Sequence, residues 1–269
     1  MQIFDFTDHA QYIMKKYLIT AAVVLALASC KNDRIQHSEW IDTDRWELSW
    51  NDEFDYQNRD ELLKVWESDN QSFTHIICSR WEENVEVTGN TVKLVNRKES
   101  RGGQDWTSAS IWTRQDFQYG YFECRYKYAG ASGTNNSFWI MTRGGTPDPT
   151  EGKRFEIDIN EGHYPNEVNS AIHDGSDPNY QAPHSELICE GSDLSTEYHV
   201  VGLEWTEQDL IFYFDGKEIW RHKNEFSFSP APVRLSEALT KWAGEVTDAC
   251  DGTFMEVDYV RIYKEKLTK

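Results

Sequence analysis

An all-β fold, with two sheets packed as a jelly-roll sandwich, is predicted by three features of the 269-residue chain. Short runs of alternating apolar and polar residues recur along most of its length, bounded by turn residues. Helical spacing is almost absent, the one candidate being DELLKVW from Asp60 to Trp66. Two dipeptides suited to tight turns, Gly89-Asn90 and Asp215-Gly216, sit between β-rich flanks. Many short strands, turn signals between them and no internal repeat argue for a two-sheet sandwich.

The first thirty residues stand apart from that fold. From Met14 the chain reads MKKYLITAAVVLALASC: two lysines, an apolar run from Tyr17 to Leu27, then small residues before Cys30. This is the layout of a secretory signal, and the run is short for a membrane span. Its ending resembles a bacterial lipobox, which makes Cys30 the lipidated first residue of the mature protein. Residues 1–13 then precede the true start. The expected location is the bacterial outer membrane, reached through the lipid anchor alone. Residues 30–44 are polar and read as a tether, which leaves 45–269 as one domain expected to be monomeric.

Within that domain, VEVTGNTVKLV reads as two short strands around Gly89-Asn90. SASIWTRQDFQYGYFECRYKY is a long alternating stretch broken near Gly120. LIFYFDGKEIWRH is the clearest hairpin, and GTFMEVDYVRIY is a closing strand. The formal charge of −19 excludes nucleic acid, whose phosphates need a basic footprint. It also disfavours polyanions unless a local arginine pocket overrides it. Four cysteines follow Cys30 with no CxxC spacing, so no metal site is expected of them. Cys189 and Cys250 lie in polar surroundings and are the expected disulfide pair. The chain holds 11 tryptophans, several beside polar residues, as in Ser79-Arg80-Trp81 and Lys241-Trp242. That is more than one core needs, and it suggests aromatic platforms in a carbohydrate cleft.

The stretch EIDINE (Glu156 to Glu161) carries the chemistry. Period-two alternation puts Phe155, Ile157 and Ile159 on one face and Glu156 and Asp158 on the other. Counting on, Asn160 joins the acids and Glu161 falls on the apolar side. Glycoside hydrolysis needs two carboxylates, about 5–5.5 Å apart in a retaining enzyme. A β-bulge near Ile159-Asn160 would restore the parity and return Glu161 to the acidic face. Glu156 is then the nucleophile, Glu161 the general acid/base, and Asp158 the residue that orients the nucleophile. The three acids titrate as a coupled set.

EIDINE resembles the ExDxxE signature of glycoside hydrolase family 16, in the bulged form of its laminarinases, agarases, porphyranases and carrageenases. LSWNDEFD (Leu48 to Asp55) looks like that family's opening strand. NSFWIM (Asn136 to Met141) looks like the strand before the catalytic one, VDYVRIY like the closing strand, and SASIWTRQDFQYGYFECRYKY like a central strand pair. The resemblance implies a concanavalin A-like jelly roll with a concave substrate cleft, retention of configuration and endo action. It implies no catalytic cofactor; a structural calcium far from the cleft is expected in some members, with Asp258 as a ligand. Carried over by residue, Trp139 becomes a cleft-floor tryptophan and His173 faces the same site. Trp81 becomes a stacking residue, and Glu237 resembles a late acid of agarase-like members. The chain lacks a GxxWPAFW run, since 131–138 reads ASGTNNSF. SRWEENVEV and SEALTKW look closer to the agarase and porphyranase branch, so the expected substrate is a red-algal galactan, porphyran before agarose. Arg80 and Arg143 are the candidates for a sulfate pocket. A laminarinase-type β-glucanase and a non-catalytic glycan-binding surface lipoprotein are the alternatives.

Overall fold

The computed structural model describes residues 40–143 and 154–267. The signal sequence, Cys30 and most of the tether lie outside the described residues. The strands are β1 (Trp46–Asp52), β2 (Trp66–Ser68), β3 (Ser79–Arg80), β4 (Val85–Val87), β5 (Val92–Val95) and β6 (Thr107–Ser108). They continue with β7 (Ser110–Thr113), β8 (Gly120–Lys127), β9 (Thr134–Met141), β10 (Phe155–His163), β11 (Glu167–Asp174) and β12 (His184–Ile188). The last are β13 (His199–Trp205), β14 (Asp209–Phe214), β15 (Lys217–Lys223), β16 (Val233–Leu239) and β17 (Phe254–Glu265). One sheet runs β15-β14-β13-β8-β17-β5-β4, with β1 also paired to β17. The other runs β12-β11-β10-β9-β16-β7-β2, and β3 and β6 form a small parallel pair. Every pairing in the two main sheets is antiparallel, so the predicted jelly-roll sandwich is the observed fold.

Local chemistry sets the turns. Asp215 and Gly216 join β14 to β15 with φ of 45° and 73°, the pair of positive values that a type I′ hairpin needs. Helix α1 (Arg59–Leu62) is one turn, capped by Asn58, whose Oδ1 accepts from Glu61 N at 3.0 Å. It ends well before Trp66, which opens β2 instead of closing the expected helical turn. The stretch read as a central strand pair also divides differently. β7 and β8 belong to opposite sheets, and residues 114–119 cross between them.

The core lies between the sheets. Phe138, Ile140, Ile157, Ile172, Val233 and Leu235 of one sheet meet Phe122, Val201, Leu203, Trp205, Phe212 and Val260 of the other. Each such side chain contributes about 1.5–3 kcal/mol by leaving water. Trp46, Trp66, Trp106 and Trp205 are buried, whereas Trp242 is 53% exposed. All four described cysteines are free thiols. Cys250 donates to the Ser132 carbonyl at 3.3 Å, and Cys189 sits at the far end of β12, so the expected Cys189–Cys250 bridge is not formed. Asp258, the expected calcium ligand, is the extra residue at a bulge of β17 and forms an ion pair with Arg125.

β10 lies between β9 and β11, and its alternation fails where the sequence requires. Against β9, Asp158 opposes Trp139 and Asn160 opposes Phe138, so Ile159 is the extra residue. Against β11, Asp158 opposes Ala171 and Glu161 opposes Asn169, which leaves Ile159 and Asn160 over Ser170 alone. Two residues against one is a β-bulge, and both point inward. Asn160 therefore enters the core and does not stand beside the acids. Its Nδ2 donates to the hydroxyls of Tyr126 (2.6 Å) and Tyr128 (2.8 Å), and its Oδ1 accepts from Asn169 N at 3.1 Å. Ser170 Oγ donates to the Ile159 carbonyl at 2.9 Å. Asn160→Leu removes the partner of a part-buried backbone N–H and of two buried hydroxyls. We expect it to cost about 2–4 kcal/mol and to lower the thermal midpoint by roughly 5–15 °C. An unchanged midpoint in calorimetry would show that this clamp does not hold the bulge.

Candidate active site

With the bulge in place, Glu156, Asp158 and Glu161 all face the outer surface of the β12–β2 sheet. They line one cleft of about 260 Å³ with His75, Ile76, Arg80, Asn135, Ser137, Trp139, His173, Ser236, Ala238 and Trp242. The lining residues of β9, β11 and β16 follow from register. His173 on β11 opposes Glu156, Trp139 on β9 opposes Asp158, and Ser137 opposes Glu161. β16 adds Ser236 opposite Ser137 and Arg234 opposite Trp139. Asp158 is the deepest acid, 4% exposed, and His173 Nε2 lies 3.1 Å from its Oδ2. Trp139 Nε1 donates to Ser236 Oγ at 3.1 Å, which fixes the indole on the floor. Arg234 lies between two indoles, 5.0 Å from Trp112 and 4.9 Å from Trp139.

The electrostatics divide the cleft. Burial pushes the Glu156 carboxyl up; His173, Arg234 and Arg80 pull it back toward the anion, while Glu161 opposes them. Burial and then the charge of Glu156 push Asp158 well above the carboxylate range, against the bond from His173. His173 is raised from 6.5 to about 9, first by its bond to Asp158 and against the effect of burial. The donor atoms of Glu156, Asp158 and His173 lie within 4.8 Å of one another. The arrangement offers a carboxylate surrounded by cations at one position along β10 and a second carboxylate farther along the same face. That is the equipment for double displacement at a glycosidic carbon.

Three residues expected in the cleft are elsewhere. Arg143 donates to Glu67 (3.1 Å), to Asp116 (3.0 Å) and to the carbonyls of Thr113 and Arg114, and it is not part of the cleft lining. Glu237 is 0% exposed on the core face of β16, where its Oε1 accepts from Asn96 Nδ2 at 3.0 Å. Parity explains it: Arg234, Ser236 and Ala238 face out, while Val233, Leu235, Glu237 and Leu239 face in. Trp81 is not part of the cleft lining; the Arg101 guanidinium covers one face of it at 3.8 Å, and its Nε1 donates to Ser79. Trp139 and His173 are where the motif put them. Sequence reasoning missed Asn135, Ser137 and Ser236. The first two share Trp139's parity on β9, which is the signal that would have found them.

A β-sandwich with paired acids over an aromatic-floored cleft is a glycoside hydrolase. Residues 72–261 match the sequence model of glycosyl hydrolases family 16, and the chain belongs to that family. A β-glucanase of Rhodothermus marinus is 28% identical over 268 aligned positions, covering 88% of this chain and 89% of that protein. The endo-1,3-1,4-β-glycanase EglC of Rhizobium meliloti is 31% identical over 60% of this chain, which spans only 34% of that longer protein. Among solved structures, the non-specific endo-β-1,3(4)-glucanase SCLam matches with a TM-score of 0.71 and 28% identity, covering 82% of this chain and 92% of that one. Two of these relatives are named glucanases and the third a 1,3-1,4-β-glycanase, so they do not support the likeness to porphyranases and agarases drawn from the motif.

The His173–Asp158 pair sets a pH dependence. The folded value of about 9 exceeds the ordinary 6.5, so the pair's contribution is complete below about pH 6.5 and is lost as pH rises through 9. An NMR titration of His173 should give a midpoint near 9 in the native protein. In Asp158→Asn that midpoint should fall toward 6.5, and equal midpoints in both would contradict the pairing.

Proposed function

We propose that this protein is an endo-acting, configuration-retaining hydrolase of β-linked glucan, of laminarinase type. The observation that carries the reaction is the return of Glu161 to the face of Glu156 by the bulge. Glu156 attacks the anomeric carbon while Glu161 gives its proton to the departing oxygen, which leaves a glycosyl ester on Glu156. Glu161 then takes a proton from water, whose oxygen displaces Glu156 and regenerates it as carboxylate. Asp158, bonded to His173, orients Glu156. Trp139 and the exposed Trp242 offer their faces to sugar rings. The glucan backbone is inferred from the relatives named above. Residues 1–29 are proposed as a mis-set start plus lipoprotein signal, and Cys30 as the lipid anchor that holds domain 45–269, a monomer, at the outer membrane.

A sulfated galactan is the second reading, and one observation favours it. Arg80 lines the cleft, 7% exposed, and neither it nor Arg234 makes an ion pair with a described residue. Their Nε atoms are buried without hydrogen-bond partners. Two unpaired guanidinium groups in a chain of charge −19 suit an anionic substituent.

A panel of laminarin, lichenan, agarose, porphyran and carrageenan, with product sizes and the first-formed anomer followed, decides between them. Laminarin or lichenan should yield mixed oligosaccharides with a β-anomeric new end. Release from porphyran or agarose alone would overturn the glucan reading. Glu156→Gln and Glu161→Gln should each lower the rate by about 10²–10⁴-fold or more. Full activity in either would remove the role assigned to it and revive the reading as a non-catalytic glycan-binding lipoprotein. For a sulfated substrate, Arg80→Gln should raise KM several-fold on the native polymer and leave the desulfated polymer unaffected.

A further inference from the structure

We infer that Asn135 and Ser137 form a relay that positions the acid/base Glu161; this rests on the reading of Glu161 given above. Both residues lie on β9, each 5% exposed, and both line the cleft. Ser137 stands directly opposite Glu161, and Asn135 opposes His163, one pleat farther along. Ser137 Oγ donates to Asn135 Oδ1 at 3.3 Å, which turns the amide so that Nδ2 points at Glu161. Asn135 Nδ2 then donates to Glu161 Oε1 at 2.7 Å. The Glu161 backbone is held as well, since its carbonyl accepts from Asn169 Nδ2 at 3.1 Å.

A glutamate at the edge of a bulge has three side-chain torsions, and one bond to a fixed donor removes most of that freedom. With Oε1 on the amide, Oε2 is the oxygen left to face the glycosidic oxygen. The proton on Oε2 passes to that oxygen as the bond to the anomeric carbon breaks and the bond to Glu156 forms. The charge left on Glu161 is met by the N–H already in place. A neutral amide suits this position: a lysine or arginine there would hold Glu161 as an ion pair and hinder its reprotonation. Asn135 touches neither the sugar carbon nor its oxygen in this scheme, so it is a positioning residue.

The test compares leaving groups. On the polysaccharide that the panel identifies, the departing sugar oxygen needs a proton; on a dinitrophenyl oligosaccharide of the same sugar, the phenolate does not. Asn135→Ala should lower kcat/KM on the polysaccharide by about 10–100-fold and leave the aryl substrate within about threefold. In a Glu161→Ala background it should add nothing further, because residues acting as one unit are not additive. Ser137→Ala should shift the polysaccharide rate in the same direction by a smaller factor, and it gives the same readout if the Asn135 variant folds poorly. Equal losses on both substrates, a rise in KM alone or additive losses with Glu161→Ala would overturn the relay. If Glu161→Ala is itself inactive while Asn135→Ala is unchanged, only the relay falls. A fully active Glu161→Ala would remove the parent assignment as well.

Discussion

A strand alternates faces every residue, so acids five positions apart cannot share a face unless one residue is added between them. β10 meets that constraint by setting Ile159 and Asn160 against Ser170 alone. The rest of the site depends on this local error of count. It lets three core residues, Phe155, Ile157 and Ile159, keep their inward positions while Glu161 is turned outward. The unusual residue is Asn160, a buried amide between the sheets. Its partners Tyr126 and Tyr128 lie at the end of and just beyond β8, in the opposite sheet. The spacing of the two acids is thus set by backbone register and by a polar tie through the core. Side-chain rotamers add only the last adjustment.

The same geometry gives the two carboxylates of one face different neighbours. The cations of the site act on the Glu156 end: His173 lies opposite it, and Arg234 and Arg80 both favour its charged form. The Glu161 end receives neutral donors from β9. Burial discourages ionisation of Glu156 and the cations around it oppose that, so the two ends of the acidic face differ in their neighbours. Asp158 sits beneath, where burial and the Glu156 charge oppose His173, and the protons of this cluster belong to the set more than to any one member. In a strongly acidic chain, placing arginines without carboxylate partners beside the nucleophile is a local choice that net charge does not reveal.

Much of this was legible in the sequence, and the reasons are specific. Asp215-Gly216 announced its hairpin because few dipeptides adopt two positive φ values. EIDINE announced a bulge because the apolar count and the acidic count could not both hold in a regular strand. What failed was whatever depended on partners far away in the chain. Arg143 looked available until β2 and the 114–116 turn brought Glu67 and Asp116 to it. Glu237 was assigned to the cleft by likeness, although the apolar residues at 233, 235 and 239 already placed its parity in the core. Trp81 sits beside Arg80 in sequence, but Arg101 covers one of its faces. β7 and β8 read as a pair because nothing local distinguishes a hairpin from a crossing between sheets. Cys189 and Cys250 were joined on polarity alone, with no information on distance.

The residues divide by origin in a way that bears on substrate. Glu156, Asp158, Glu161, Trp139 and His173 come from the three adjacent strands β9, β10 and β11, whose spacing is fixed by hydrogen bonding. His75 comes from the segment leading into β3, Arg80 from the short strand β3 itself, and Trp242 from the turn after β16. Loops change more freely than central strands. A chain can therefore share its reaction with glucanases through the strands and still differ from them in what its loops accept. The motif EIDINE belongs to the first set alone. Arg80 and Trp242 line the cleft from outside the three strands that carry the acids, so a change at either alters the lining without altering the spacing of Glu156 and Glu161.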